Sequence, residues 1–315
     1  MFNQTSKVYA DTIPFQPFGR VCALGYFDGL HMGHMEIIRK AVKAAKMEGI
    51  PCLVQTFNGF PKGGGRLLTN MEERLEVLSE AGVDEMLVLN FTDEFKATSP
   101  EDFCEGTIKT LINARAIFVG DDYSYGRMAA GDVNSLKAYG MENDIAVKVI
   151  KAKTLPGGDR RISSTWMRQS LDDGDVETYA ELTGGRYFSY SGIVVEGKKL
   201  GRELGFPTAN VVIPDDKYLA RRGVYVSRVT VGNRVFGGVT NIGLRPTVED
   251  AVADLAETYI FDFDEDIYGA KIKVELIKFL RPETKFTSKD ELVQAVEANK
   301  WQAKTYLDNS GILAK

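Results

Sequence analysis

Through the first half of the chain, short apolar runs of strand type alternate with segments whose apolar residues recur at helical spacing. Val21, Cys22, Ala23 and Leu24 form one such run. Beyond Gly25 and Gly29, which relax the backbone, Ile37, Ile38, Ala41, Val42 and Ala45 recur three and four apart and predict a helix. A strand over 52–57 follows, then a helix opened by the capping box Thr69-Asn70-Met71-Glu72 and closed at Gly82, then a strand over 86–89. Ser99 and Pro100 open a further helix with proline at its first position, and strands are predicted over 116–119 and 145–150. Such alternation predicts a parallel sheet covered on both faces, with ligands at the carboxyl ends of its strands.

After Leu182-Thr183-Gly184-Gly185-Arg186 the period changes from helical to alternating. Strand-type runs occupy 192–195 and 223–231, a Gly232-Asn233 turn follows, and 234–240 completes a hairpin signature. Further strands are predicted over 258–263 and 271–279, and a helical pattern starts after Ser288. The fold class expected is α/β plus β: a parallel-sheet domain over residues 1–184, then a small antiparallel barrel or sandwich with a terminal helix over 185–315.

Composition narrows the classes of function. A length of 315 residues is compatible with two domains, and 44% apolar with 26% charged residues is ordinary for a soluble globular chain. A net charge of −5 and a pI near 5.4 give no basic footprint for nucleic acid, and no apolar run is long enough to cross a bilayer. Neither a nucleic-acid nor a membrane partner is expected. The first residues, Met1 to Lys7, carry no secretory apolar region, and Cys22, Cys52 and Cys104 are an odd, widely spaced set. A reduced cytoplasmic protein with buried cysteines is expected.

The candidate chemistry is concentrated. Both histidines of the chain lie in Gly25-Tyr26-Phe27-Asp28-Gly29-Leu30-His31-Met32-Gly33-His34, three residues apart where the helical pattern begins, so that both rings can face one site. A helix start offers unpaired N–H groups and a positive dipole end to an anion, and imidazoles beside it can donate to phosphate oxygens. Gly33 lets a ligand approach the backbone. A zincin pair would need i, i+4 spacing with a glutamate between, and no third histidine exists. A second candidate, Gly192-Ile193-Val194-Val195-Glu196-Gly197-Lys198-Lys199, nearly spells a P-loop. Its last residue is lysine rather than a hydroxyl and its middle reads as a strand, so it is rejected.

The segment from Gly25 to His34 resembles the GxFDGxHxGH form of the HxGH signature seen in bacterial bifunctional riboflavin kinase/FMN adenylyltransferases (FAD synthetases). Val119-Gly120-Asp121-Asp122-Tyr123-Ser124-Tyr125-Gly126 resembles that family's G-x-[DN]-F-x-F-G segment, with tyrosines for phenylalanines. Residues 161–168, Arg161 to Arg168, match its ISSTxxR element. Hydroxyls and a guanidinium there form a second phosphate-binding cluster, although Ser and Thr at a helix start are equally plain caps. Gly201-Arg202-Glu203-Leu204-Gly205-Phe206-Pro207-Thr208-Ala209-Asn210 is similar to the GRxLGFPTAN motif of riboflavin kinases, in which Thr and Asn hold Mg-ATP. Gly223-Val224-Tyr225, residues 241–247, Ala256-Glu257-Thr258-Tyr259, residues 266–269 and Phe279-Leu280-Arg281-Pro282-Glu283-Thr284-Lys285-Phe286 follow in the family's order.

The resemblance implies an N-terminal Rossmann-like nucleotidyltransferase domain and a C-terminal β-barrel kinase, in a path from riboflavin and ATP to FMN, then from FMN and ATP to FAD and pyrophosphate. It implies catalytic roles for His31, His34, Ser164, Thr165, Arg168 and Glu257, the last as general base. Ligand-binding roles fall on Gly25, Phe27, Asp28, Gly33, Asp122, Gly201, Gly205, Thr208, Asn210 and Arg281, with magnesium on Thr208 and Asn210. Two departures stand out. The segment 58–65 lacks the histidine and first proline of the family's F-x-P-H-P stretch, and Tyr259 stands where histidine is frequent. A chain with one live half, or a flavin- or nucleotide-binding regulator without turnover, are the alternatives.

Overall fold

The computed structural model describes residues 5–59, 65–197, 205–246 and 252–314. They form two compact units, Met1–Ser164 and Thr165–Lys315.

The first unit is built on a parallel sheet of six strands. In chain order these are β1 (Ser6–Tyr9), β2 (Arg20–Leu24), β3 (Cys52–Asn58), β4 (Glu85–Asn90), β5 (Ala114–Gly120) and, after the two-residue strands β6 (Ser124–Tyr125) and β7 (Gly131–Asp132), β8 (Ala146–Ile150). Their spatial order is β1-β4-β3-β2-β5-β8. All five residues of β2 are buried, as a central strand covered on both faces requires. One face is covered by α1 (Met32–Glu48) and α2 (Met71–Glu80), whose Ile38, Ala41 and Leu78 pack with Val21, Ala23 and Val54. The other carries Phe103, Cys104, Ile108 and Leu136 against Cys22, Leu53 and Ile117. These come from a helical stretch after α3 (Asp93–Ala97), where α4 (Pro100–Asp102) runs into a π-helical segment Phe103–Leu111, and from α5 (Val133–Glu142).

Most predicted elements are present, with informative differences. Strand β1 pairs with β4 at the sheet edge and leaves three of its four residues exposed, so no apolar run announces it. The cap of α2 is shifted by one residue. Asn70 accepts from the Glu73 amide and the Glu73 carboxylate accepts from the Asn70 amide, each at 2.9 Å, which releases Thr69 for another task. Strands β2 and β5 are neighbours, yet the chain leaves them toward opposite sides of the sheet. Such a switch point opens a crevice at their carboxyl ends, where Gly25 and Gly120 lie.

The second unit begins at Thr165, one residue into α6 (Ser164–Asp173), and continues into α7 (Val176–Thr183), which is ended by Gly184 in the left-handed region at φ 76°. Six antiparallel strands then close a barrel, so of the two architectures left open by the alternating pattern, the barrel is the one formed. These are β9 (Phe188–Val195), β10 (Ala209–Val212), β11 (Gly223–Val231), β12 (Arg234–Pro246), β13 (Val252–Ile260) and β14 (Lys271–Arg281), in the order β10-β13-β12-β11-β14-β9. The hairpin is as predicted, with Val231 paired to Arg234 across Gly232 and Asn233. Strand β13 starts six residues before the predicted 258, its described early residues lacking an apolar run. Helix α8 (Lys289–Ser310) presses Ala303 and Leu307 onto Val226, Phe261 and Ile277.

The compact units part at Ser164, ahead of Gly184, because α6 and α7 are bonded to the barrel. The Arg221 amide donates to the Leu171 carbonyl at 2.8 Å, the Tyr218 hydroxyl to Asp172 at 2.8 Å, and Lys278 to Glu177 at 3.0 Å. No helix among the described residues is long and apolar enough to cross a membrane.

Candidate functional site

In the first unit the chemistry gathers where β2 ends and α1 begins. Phe27 at φ 53°, Gly29 at φ 81° and Leu30 at φ 46° turn the chain sharply, and such left-handed non-glycine residues persist only where their surroundings over-determine them. His31 is the N-cap of α1. Its Nδ1 accepts from the His34 amide at 3.2 Å, and the two imidazoles stack with centroids 3.6 Å apart and planes 19° from parallel. Phe27 meets His34 edge-on at 5.3 Å. The first turn of α1 holds no acidic side chain, so the positive end of the dipole is unopposed there. A Cβ on Gly33 would sit 3.1 Å from the His31 ring; the space that glycine opens is taken by that ring rather than left for a ligand. Gly25 similarly admits Phe27, whose ring a Cβ would meet at 3.0 Å.

The Asp28 carboxylate is 1% exposed and faces the protein. It accepts from the Leu68 amide at 3.2 Å, the Thr69 amide at 3.1 Å and Arg74 at 3.3 Å. Its backbone carbonyl accepts from the Ser164 hydroxyl at 2.9 Å, which brings Ser164 to the histidine turn. Asp122 pairs with the Arg161 guanidinium at 2.8 Å, and Asp121 with the same guanidinium at 3.2 Å. Thr165 and Arg168 belong to the second unit, where Arg168 lies 5.6 Å over the Tyr218 ring. Behind the turn, burial raises the Tyr123 hydroxyl well above its usual range and pushes Tyr125 up to about 12, so both stay protonated. Burial also raises the three thiols, Cys52 to about 12, which leaves them inert.

In the second unit a carboxylate and two neutral oxygens converge on one patch of the barrel. Register places Glu257 of β13 opposite Asn210 of β10 on one side and Asn241 of β12 on the other. The Thr208 hydroxyl donates to Glu257 Oε1 at 2.9 Å. Asn210 is 2% exposed and donates to the Thr208 carbonyl at 3.3 Å, while its Oδ1 has no hydrogen-bond partner among the described residues. A buried, unsatisfied amide oxygen is costly unless something binds it, and amide and hydroxyl oxygens suit a hard divalent cation. Among the described residues no group of three or more His, Cys, Asp or Glu could hold a metal.

Arg281 is turned toward α8. Its Nε donates to Asn299 at 3.2 Å and another nitrogen to the Pro282 carbonyl at 3.0 Å, and burial lowers its pKa. Gly205 is left-handed at φ 84° with open space beside it. Gly201 lies outside the described residues, as do Arg202 to Leu204, Thr247 and the 60–64 part of the altered segment. Two side chains escaped the sequence reading. Arg74 is wholly buried beneath the histidine turn, and Lys300 of α8 lies 4.7 Å over Phe206 and 4.6 Å over Tyr259. Nothing in their local sequence separates them from solvated surface charges.

Comparison with known proteins agrees with this two-site layout. The FAD synthetase family model matches residues 15–166 and the riboflavin kinase model matches 184–307. A Bacillus subtilis protein named bifunctional riboflavin kinase/FMN adenylyltransferase is 35% identical, covering 92% of this chain and 93% of the relative. One of the same name from Escherichia coli K12 is 34% identical, covering 91% and 93%. A crystal structure described as a macrolide-efflux protein from Streptococcus pneumoniae is 33% identical with a TM-score of 0.84, covering 95% of this chain and 98% of that one. The chain belongs to the family of bifunctional riboflavin kinase/FMN adenylyltransferases.

Proposed function

We propose that this chain makes both flavin cofactors, phosphorylating riboflavin to FMN with ATP in the barrel and adenylylating FMN to FAD, with release of pyrophosphate, at the His31–His34 turn. The observation that carries the reading is the coexistence of two chemically distinct sites in one chain. One is a stacked histidine pair at a helix start, the other a hydroxyl-bound glutamate between neutral oxygens. The functional boundary is assigned at Gly184, giving an adenylyltransferase over 1–184 and a kinase over 185–315. The riboflavin kinase match, which starts at 184, supports it. ATP is consumed in both steps, and a cytoplasmic location belongs to the same reading.

In the barrel, the ribityl 5′-hydroxyl attacks the γ-phosphorus of ATP, ADP leaves with the bridging oxygen, and Glu257 accepts the hydroxyl proton. Thr208 spends its hydroxyl hydrogen on Glu257, which orients the carboxylate and leaves the oxygen lone pairs for a cation. Kinases and adenylyltransferases generally use a divalent metal. Here magnesium would be held by Thr208 and Asn210 and would neutralise phosphate charge. Gly205 relaxes the backbone next to this nucleotide segment.

In the first unit, a phosphate oxygen of FMN attacks the α-phosphorus of ATP and pyrophosphate leaves. The nucleophile is already an anion, so His31 and His34 act by binding and charge stabilisation rather than as acid and base. The α1 dipole acts on the same phosphates. Ser164, held to the turn by its bond to the Asp28 carbonyl, is assigned to the same step with Thr165, Arg168 and Asp122. Arg281 is assigned to the kinase nucleotide side, held in place by Asn299.

Chromatographic product analysis of the purified chain with riboflavin, ATP and magnesium tests the proposal. FMN followed by FAD is the expected result. FMN alone implicates the altered 58–65 segment in a lost adenylyl step; if FAD appears only when FMN is supplied, the kinase half is dead. No product from either flavin leaves a binding protein without turnover.

A further inference from the structure

Arg74 is 0% exposed, and both terminal nitrogens of its guanidinium reach the turn that carries the histidines. One terminal nitrogen donates to the Thr56 hydroxyl at 2.8 Å and to the Tyr26 carbonyl at 3.2 Å. The other reaches the Asp28 carboxylate at 3.3 Å, and Nε reaches the Thr69 hydroxyl at 3.3 Å. The guanidinium also lies 5.0 Å over the Tyr26 ring. Thr56 closes the arrangement by donating to the same Tyr26 carbonyl at 2.7 Å, and Thr69 by accepting from the Gly29 amide at 3.0 Å. Arg74 thus holds the residues on both sides of Phe27, the left-handed residue whose ring edge abuts His34.

A buried ion pair is poor evidence of added stability, because an apolar replacement of similar volume often serves as well. What a planar, five-donor guanidinium supplies is fixed direction, here to one backbone carbonyl, two hydroxyls and a carboxylate at once. Asp28 relays that direction outward: its side chain is held by Arg74 and its carbonyl receives the Ser164 hydroxyl.

We propose that Arg74, acting through Asp28 and Tyr26, is the positioning residue of the adenylyl site, setting the histidine pair and the Ser164 hydroxyl in register with each other. Arg74 touches no substrate. The inference rests on the adenylyl reading of the His31–His34 turn and adds to it a residue that no motif of the chain contains.

Arg74→Lys keeps the charge but loses the fork, and Thr56→Val removes one anchor with little change of volume. Both are assayed in the full chain for both reactions, at a temperature where near-ultraviolet circular dichroism shows each variant folded. Arg74→Lys is expected to lower kcat for FMN-to-FAD conversion about 100-fold and Thr56→Val about 10-fold, in line with the cost of small misplacements. KM for FMN and ATP should stay within about twofold, and riboflavin phosphorylation should be unchanged. If Arg74→Lys does not fold, Thr56→Val carries the test alone.

A double-mutant cycle with Ser164→Ala separates positioning from simple loosening, because residues acting as one unit are non-additive. Each first substitution should cost much less kcat in the Ser164→Ala background than alone. Additive effects, an unchanged FAD-forming kcat, or a rise in KM at constant kcat each overturn the proposal. A wild-type chain that makes no FAD overturns the adenylyl reading itself, and the proposal with it.

Discussion

The two proposed sites answer the same problem, the handling of a triphosphate, with opposite backbone economies. In the first unit the functional groups sit on a turn with three left-handed residues in four positions, and that turn is held from beneath by a buried guanidinium and carboxylate. In the barrel, Glu257, Asn210 and Asn241 sit on regular strands, and the pairing of β10, β13 and β12 alone puts them side by side. A strained turn presents amides and imidazoles to an anion but needs support from elsewhere in the fold. Pleated strands hold a carboxylate beside an amide by their own ladder, with the Thr208 hydroxyl as the bond added from outside it.

The sharpest way to break this comparison is Glu257→Ala. Removal of a general base is expected to cut riboflavin phosphorylation by about 10²–10⁴-fold while FMN adenylylation continues, measured with each substrate supplied alone. His31→Ala should do the reverse, lowering FAD formation by about 10²–10³-fold at unchanged kinase rate. Loss of its cap should also cost the first unit about 1 kcal/mol in a denaturant titration. Loss of both activities in a folded single variant would show that the sites are not separate.

Glycine substitutions sharpen the contrast at smaller scale. In Gly33→Ala the new Cβ lies 3.1 Å from the His31 ring, which must move by a few tenths of an ångström, so FAD formation should fall several-fold to about 10-fold with the fold intact. Gly205→Ala meets no neighbour within 4 Å but must adopt φ 84°, a cost of about 1–2 kcal/mol. Its effect should appear in the barrel's denaturation midpoint and in the KM for ATP of the kinase reaction. An unchanged midpoint would mean that the turn relaxes to accept alanine.

The smallest effect belongs to the surface. Glu36 on α1 contacts Lys153 at 2.9 Å and Lys40 at 3.3 Å, and its hydrogen bond to Lys153 holds its carboxyl below the usual 4.5. A depressed carboxylate contributes stability above that value and loses it as pH falls through the lower folded pKa. Glu36→Gln should therefore cost less than about 0.5 kcal/mol at neutral pH, shrinking toward zero in acid. The check is a pair of urea titrations of the wild-type and Glu36→Gln chains at neutral and acid pH.

The legibility of the two sites differed for the same reason. Both histidines, Gly33, Thr208, Asn210 and Glu257 were recognisable because they lie in contiguous motifs, and the structure places Thr208 and Asn210 beside Glu257. Asp28 was expected at the ligand, yet its carboxylate is turned inward, because a motif names a residue without naming the direction of its side chain. The cap of α2 was misplaced by one residue because Thr69 and Asn70 are both good caps, and only Asp28 and Arg74 recruit Thr69 away. Edge strand β1 was missed because an exposed strand has no apolar alternation to show.

Local chemistry alone decided the order of the elements, the change from parallel α/β to antiparallel barrel near Gly184, and the two phosphate-handling motifs. A period of 3.6 or 2, a glycine at a turn and a string of contiguous residues are all readable within a dozen positions. Folding decided the rest: that Arg74, 40 residues beyond His34, lies beneath its turn, that Arg281 is fixed by Asn299 of α8, and that Lys300 covers Phe206 and Tyr259. Each depends on which distant surface a long, flexible, charged side chain is buried against, and burial is a property of the packed structure rather than of the neighbours in sequence.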